Sequence, residues 1–199
     1  MNQKMKKVLS TLVVGLAFLG FAFTTAPKTT TFKVDTQKSI ILWNAKKVTG
    51  EHSGTIKLSG GELNLTGANL TKGSFIINMT TITSTDGAGA RLEGHLKSED
   101  FFSVEKNPTS TFVITKVTPA AAGTIMVAGN LTIKGITKAL SFPASLAVKG
   151  TSLTAVAKGV KVDRTKYDIR YGSKSFFDSI GDKAIDDEFT LDITLVASK

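Results

Sequence analysis

The side chains able to do chemistry are few. The chain has two histidines, His52 and His95, and no cysteine. Thiol nucleophiles, thiolate metal sites, disulfides and a thioether-linked lipid anchor are therefore excluded. A site of two histidines and one carboxylate would need Glu93 or Asp100 to converge on both rings in space. Neither histidine sits in an HExxH pattern, and Glu51 points to the opposite face from His52 if the segment is a strand. The Gly-x-Ser-x-Gly elbow of a serine hydrolase is missing, since Gly172-Ser173 runs into Lys174-Ser175. Asp186, Asp187 and Glu188 are consecutive acids before a strand, the pattern of a solvated turn rather than of two convergent glycosidase carboxylates. No glycine-rich phosphate loop is present. The residues point away from catalysis, and no catalytic residue is assigned.

The aromatic residues carry more information. Twelve Phe stand against two Tyr and one Trp. Phe18, Phe21 and Phe23 belong to an apolar N-terminal run, and the others follow it. Two pairs, Phe101-Phe102 and Phe176-Phe177, fall in the two stretches that resist a strand reading. Adjacent residues in regular structure cannot both face one core. One ring of each pair is thus expected to pack against the body and the other to cover an opening. Such an arrangement implies an apolar cavity, the usual form of a small-molecule site.

The elements that must position these rings are strands. Period-two alternation recurs in Phe32–Asp35, Ser39–Lys46, Glu62–Thr66, Ser74–Thr80, Ser110–Thr118, Thr124–Lys134, Phe142–Val148 and Phe189–Leu195. Phe75, Ile77 and Met79 share a face, as do Phe142, Ala144, Leu146 and Val148. Gly61–Gly67 and Gly129–Gly135 repeat loosely, as two strands bounded by turns rather than a duplication. Only Asp86–Val104, with a short helical stretch around Arg91–Phe101, and Tyr167–Asp187 interrupt the pattern. Eight or nine antiparallel strands with short connections must hide their edges, and a closed barrel abolishes them. The last strand, roughly a dozen residues, would span about 40 Å, a length that suits a tall barrel. The fold predicted is all-β, a sandwich or, better suited to so long a strand, a closed barrel, with helical or loop segments near 90–103 and 174–182.

The N-terminus sets the compartment. Lys4, Lys6 and Lys7 precede the apolar run Val8–Phe23, which is too short to cross a bilayer core comfortably as a helix. Small residues follow, so residues 1–26 are read as a signal peptide cut between 22 and 26, and 27–199 as a single domain. The protein is expected to be exported, to the periplasm or beyond. The formal charge is +9. It is carried by lysines such as Lys33, Lys38, Lys57, Lys134 and Lys149, which the sequence scatters instead of gathering into a block, so nucleic acid is not an expected partner. A membrane-spanning barrel would need aromatic girdles that one Trp and two Tyr cannot build.

Several strings resemble one family. FKVDTQKSIILWNAKKV, Thr49–Thr55, Gly94–Val117 (GHLKSEDFFSVEKNPTSTFVITKV), Gly129–Lys138 and Val162–Ser173 together look like the YceI-like domain over Phe32–Ala197. The resemblance implies an extended eight-stranded antiparallel β-barrel, lipocalin-like in shape, whose lumen binds a polyisoprenoid or an isoprenoid quinone. His52-Ser53-Gly54, His95–Phe102 and the segment with Asp163, Arg164, Tyr167 and Arg170 match family elements and become mouth or lumen candidates. One departure is the short, glycine-bearing link at Gly87–Gly89. The ligand-binding candidates are Trp43, His52, Phe75, His95, Phe101, Phe102, Phe142, Arg164, Tyr167, Arg170 and Phe176. No metal or other cofactor is expected. The partner is a hydrophobic or amphiphilic small molecule, with transient membrane contact and an oligomeric state left open. Two other readings compete: a histidine-based metal enzyme, and a structural or adhesive module with a filled core.

Overall fold

A computed structural model describes residues 28–199. The signal peptide read at 1–26 lies outside the described residues. The elements in order are β1 (Thr29–Val34), β2 (Ile40–Lys47), β3 (Gly50–Thr66), β4 (Asn69–Ser84), α1 (Gly89–Lys97), β5 (Thr109–Pro119), β6 (Thr124–Ile133), β7 (Ile136–Lys149), β8 (Ser152–Asp163) and β9 (Ile185–Ser198).

All pairings are antiparallel, in the order β3-β2-β9-β8-β7-β6-β5-β4, and β4 closes the ring on β3. β1 and β2 share one position in that ring. β1 pairs with the far half of β3 (Phe32 opposite Leu63) and the tip of β9, whereas β2 pairs with the near half of β3 (Trp43 opposite Gly54) and with β9 (Trp43 opposite Leu191). Between them the Asp35 carboxylate accepts the backbone N–H groups of Gln37 and Lys38, which makes the turn that splits the strand. Nine strands therefore build an eight-stranded barrel, the form that the family resemblance implies.

The two ends differ. The hairpin end carries the β3–β4, β5–β6 and β7–β8 turns and both termini of the described chain. Here Phe32, Leu63, Leu65, Leu70, Leu153 and Ala197 are buried and form an apolar plug. The opposite, mouth end carries the long connections: β4 through α1 to β5, and β8 to β9. Large rings lie flat against facing glycines in the wall. A Cβ on Gly129 would fall 2.5 Å from the Phe112 ring, and one on Gly54 2.6 Å from the Trp43 indole.

Pairing is shortest at two seams, β4–β5 and β7–β8, each with five residue pairs. β7 meets β8 only over Ser145–Lys149 and Val156–Ser152. The same register would next bring Ala144 opposite Ala157 and then Pro143 opposite Lys158. Pro143 has no N–H to donate, and Lys158-Gly159 forms a bulge with Gly159 at φ +61°. The ladder stops there, and Lys134 Nζ, donating to the Asp168 carbonyl at 3.1 Å, ties the connections beyond it.

Three local expectations need correction. The helix ends at Lys97 rather than near Phe101, because Ser98 turns extended while its hydroxyl and N–H bond back to the His95 carbonyl. β3 and β4 are far longer than Glu62–Thr66 and Ser74–Thr80, and β8 escaped notice. Gly50, Gly54, Gly60 and Gly61 break the apolar period in β3 without breaking the strand.

Candidate functional site

The barrel encloses a lumen with a cavity volume of about 200 Å³. Along β4 it runs from Leu70 near the plug to Ile82 near the mouth. Twelve residues of rise correspond to about 40 Å of strand, or about 30 Å along the axis at the usual tilt. A small volume drawn out over such a length describes a narrow tunnel. Its lining is aliphatic and aromatic, with Ser110, Ser145, Arg164 and Asp186 as the polar members. From β2 round to β6 much of the lining is tightly packed: Ile41, Ile56, Leu58, Phe112, Val127 and Leu131 are buried. On β7 and β9, Leu140, Phe142, Ala144, Phe189, Leu191 and Ile193 keep accessible surface. This more accessible part of the lining borders the interrupted β7–β8 seam.

Of the predicted residues, Trp43, Phe75, Phe101, Phe102, Phe142 and Arg164 line the lumen. Phe75 stacks on Phe112 with centroids 6.4 Å apart, and Phe142 tilts against Phe112 at 5.5 Å. The buried Trp43 Nε1–H has no hydrogen-bond partner, a state it shares with Asp187 Oδ1 among the described side chains. Phe101 and Phe102 both turn to the lumen, where only one ring was expected. They lie in a tight turn rather than regular structure, with Ser103 at φ 47° closing it. Phe102 meets Phe189 edge-on at 6.3 Å. Phe176 and Phe177 fail the expectation the other way, since both are exposed and neither joins the hydrophobic core.

The two histidines sit outside the lumen, each with its own carboxylate. His52 Nδ1 lies 2.7 Å from Asp86 Oδ2, and His95 Nε2 lies 3.0 Å from Asp100 Oδ2. Among the described residues no cluster of three His, Cys, Asp or Glu forms that could hold a metal. Asp86 is a staple for the start of α1. It accepts hydrogen bonds from the Ser84 hydroxyl and from the Ser53 and Ala88 N–H groups. These donors, the Ser84 hydroxyl foremost, hold its carboxyl well below the usual range. Glu93 reaches from α1 to the Ser84 N–H at 2.9 Å. His95 stands behind Phe101, edge-on to it at 4.9 Å and to Tyr171 at 4.7 Å. It therefore supports a lumen-lining ring without reaching the lumen.

Arg164 has a different role from the head-group donor expected of it. Its side chain is 4 % exposed, and its guanidinium donates to the carbonyls of Ile169, Tyr171, Ile185 and Asp186 at 2.7–3.0 Å. Asp187 lies 3.6 Å away. Burial lowers its pKa, opposed by Asp187, Asp163 and Asp186. The donors are turned into the β8–β9 connection, so Arg164 builds the mouth. Tyr167 is buried beside it outside the lumen lining, and burial with the Asp163 charge raises its phenol pKa. Arg170 lies on the surface, bonded to Asp168 at 2.7 Å and placed over the Phe176 ring at 4.7 Å. Arg170, Phe176 and His52 are thus not brought to the tunnel. The sequence reading missed Leu140, Leu191 and Ile193 as site residues, ordinary strand residues whose importance comes from the accessible surface that they keep in the lumen lining.

Comparison with known proteins bears on this architecture. The family model for the YceI-like domain matches residues 32–197. A UPF0312 protein of Ectopseudomonas mendocina is 30 % identical over 149 residues, covering 73 % of this chain and 75 % of the relative. A UPF0312 protein of Vibrio cholerae is 31 % identical, covering 67 % and 70 %. Among solved structures, Burkholderia cenocepacia BcnA superposes with a TM-score of 0.69 at 22 % identity, covering 83 % of this chain and 99 % of BcnA. A polyisoprenoid binding domain from Saccharophagus degradans gives 0.60 at 12 % identity, covering 84 % and 97 %.

Proposed function

The chain belongs to the YceI-like domain family, and from that premise we propose that it binds one isoprenoid-like amphiphilic lipid in its lumen and carries or sequesters it without chemistry. The observation that carries this reading is the tunnel: long, narrow and lined almost wholly by hydrocarbon. A lining of this kind offers no directional chemistry. It offers removal of apolar surface from water, worth about 25 cal/mol per Å². A single extended chain matches that shape better than a compact ring system does. The likeness to a polyisoprenoid binding domain agrees with an isoprenoid chain as the ligand. Export to the periplasm belongs to the same proposal and rests on the N-terminal run.

Native mass spectrometry of protein purified without detergent tests the reading. A bound hydrophobic species, released by organic solvent, is the expected result. Trp43 is the single tryptophan and lines the lumen, so its emission should change when a prenyl lipid is added back to stripped protein. Protein that carries nothing, takes up no prenyl lipid and shows constant emission would return the domain to a structural module.

A further inference from the structure

Charge that the sequence scatters is sorted by the fold. All sixteen acidic residues except Asp35, Glu62 and Asp192 lie in the mouth-end connections or in the first or last four residues of the strands that enter them. The mouth-end cations are balanced in number by these carboxylates, and some pair with them directly, as Lys106 with Glu99, Lys166 with Asp163 and Arg170 with Asp168. The hairpin end keeps its cations unmatched. Lys28, Lys33, Lys72, Lys116, Lys149 and Lys199 are exposed, and none has an ion-pair partner within 4.0 Å among the described residues. The net positive charge of the domain is therefore concentrated at the plugged pole.

We propose that this basic pole is a docking surface for an anionic lipid bilayer, holding the barrel with its mouth turned away from that membrane. Two further observations favour a bilayer over other polyanions. Val148, next to Lys149 in the β7–β8 hairpin, is 44 % exposed. The exposed Tyr and Phe rings that could stack on bases, Tyr171, Phe176 and Phe177, are all at the mouth end. Lysines near an anionic leaflet act additively and over a Debye length, without needing a shaped pocket. The proposal does not depend on what the lumen holds.

The test is vesicle co-sedimentation of the exported protein. Phosphatidylcholine vesicles are compared with vesicles containing about a third phosphatidylglycerol, at about 0.05 M and about 0.5 M salt. The expected result is at least about tenfold tighter binding to the anionic vesicles, lost at high salt. The variant K33Q/K72Q/K149Q/K199Q should lose this binding. The control K46Q/K138Q/K174Q/K183Q removes equal charge at the mouth end and should keep it. Equal loss in both variants, binding indifferent to salt or lipid charge, or no vesicle binding would overturn the proposal. So would salt-sensitive binding to a DNA duplex in place of vesicles.

Discussion

At the hairpin end, Phe32, Leu63, Leu65, Leu153 and Ala197 fill the barrel until no lumen remains. At the mouth end the same strands stay apart, and what closes them is α1, two aromatic rings and a buried guanidinium bonded to four carbonyls. The first end is held by area removed from water and tolerates no polar group. The second is held by directional bonds whose donors and acceptors must all be present. The difference shows how one barrel can be both rigid and hollow: packing anchors one end, and a polar frame holds the other open around an apolar space.

The comparison is most exposed to failure at Arg164. Arg164→Ala should destabilise the domain by about 3–5 kcal/mol, since it strips four carbonyls of their donor and removes the cation beside Asp187. Urea unfolding measures this, and Arg164→Lys should recover little because an ammonium cannot span the same fork. A loss under about 1 kcal/mol would mean that the mouth is held by packing after all. Next in size is Leu63→Ala in the plug, which should cost about 3 kcal/mol. Leu63 also borders the tunnel floor, so its removal should lengthen the lumen and leave ligand retention intact. Phe142→Ala reverses that pattern. The ring is only half-buried, so unfolding should shift by about 1 kcal/mol, while retention of bound lipid should fall more than in the Leu63 variant. Equal effects of the two variants on stability and retention would erase the distinction between plug and tunnel.

The plug and the strand faces were legible because a half-buried strand must alternate. Phe75, Ile77 and Met79 all line the lumen as their spacing requires. The mouth was legible only as an interruption. Nothing in the spacing of Arg164 announces that four carbonyls from two later segments converge on it, since that depends on how the β8–β9 connection folds back. The doubled phenylalanines show the same limit, because the rule for regular structure does not govern residues in turns. The sorting of charge was invisible for another reason: strand order places residues distant in sequence at one pole, so an even scatter along the chain became a neutral end and a basic one.

The smallest expected effect concerns Asp86, where the mouth's polar frame meets solvent. Its carboxyl is held below the usual range in the folded state, mainly by the Ser84 hydroxyl, then by the Ala88 N–H, His52 and the Ser53 N–H. A depressed carboxylate pKa means stability that is fully present above the unfolded value, near 4, and lost as pH falls through the folded value. The staple should therefore hold from neutral pH down past the point where ordinary carboxylates protonate, then release. Hydrogen exchange read by mass spectrometry should show faster exchange in α1 below that point, with β1, β8 and the plug unchanged. Asp86→Asn should bring the same local loosening to neutral pH, because an amide accepts more weakly and cannot pair with His52 as a charge does. Acid-induced exchange that spreads equally through α1 and the plug would mean that the two ends open as one unit, and that the frame around the mouth does not act separately from the packed end.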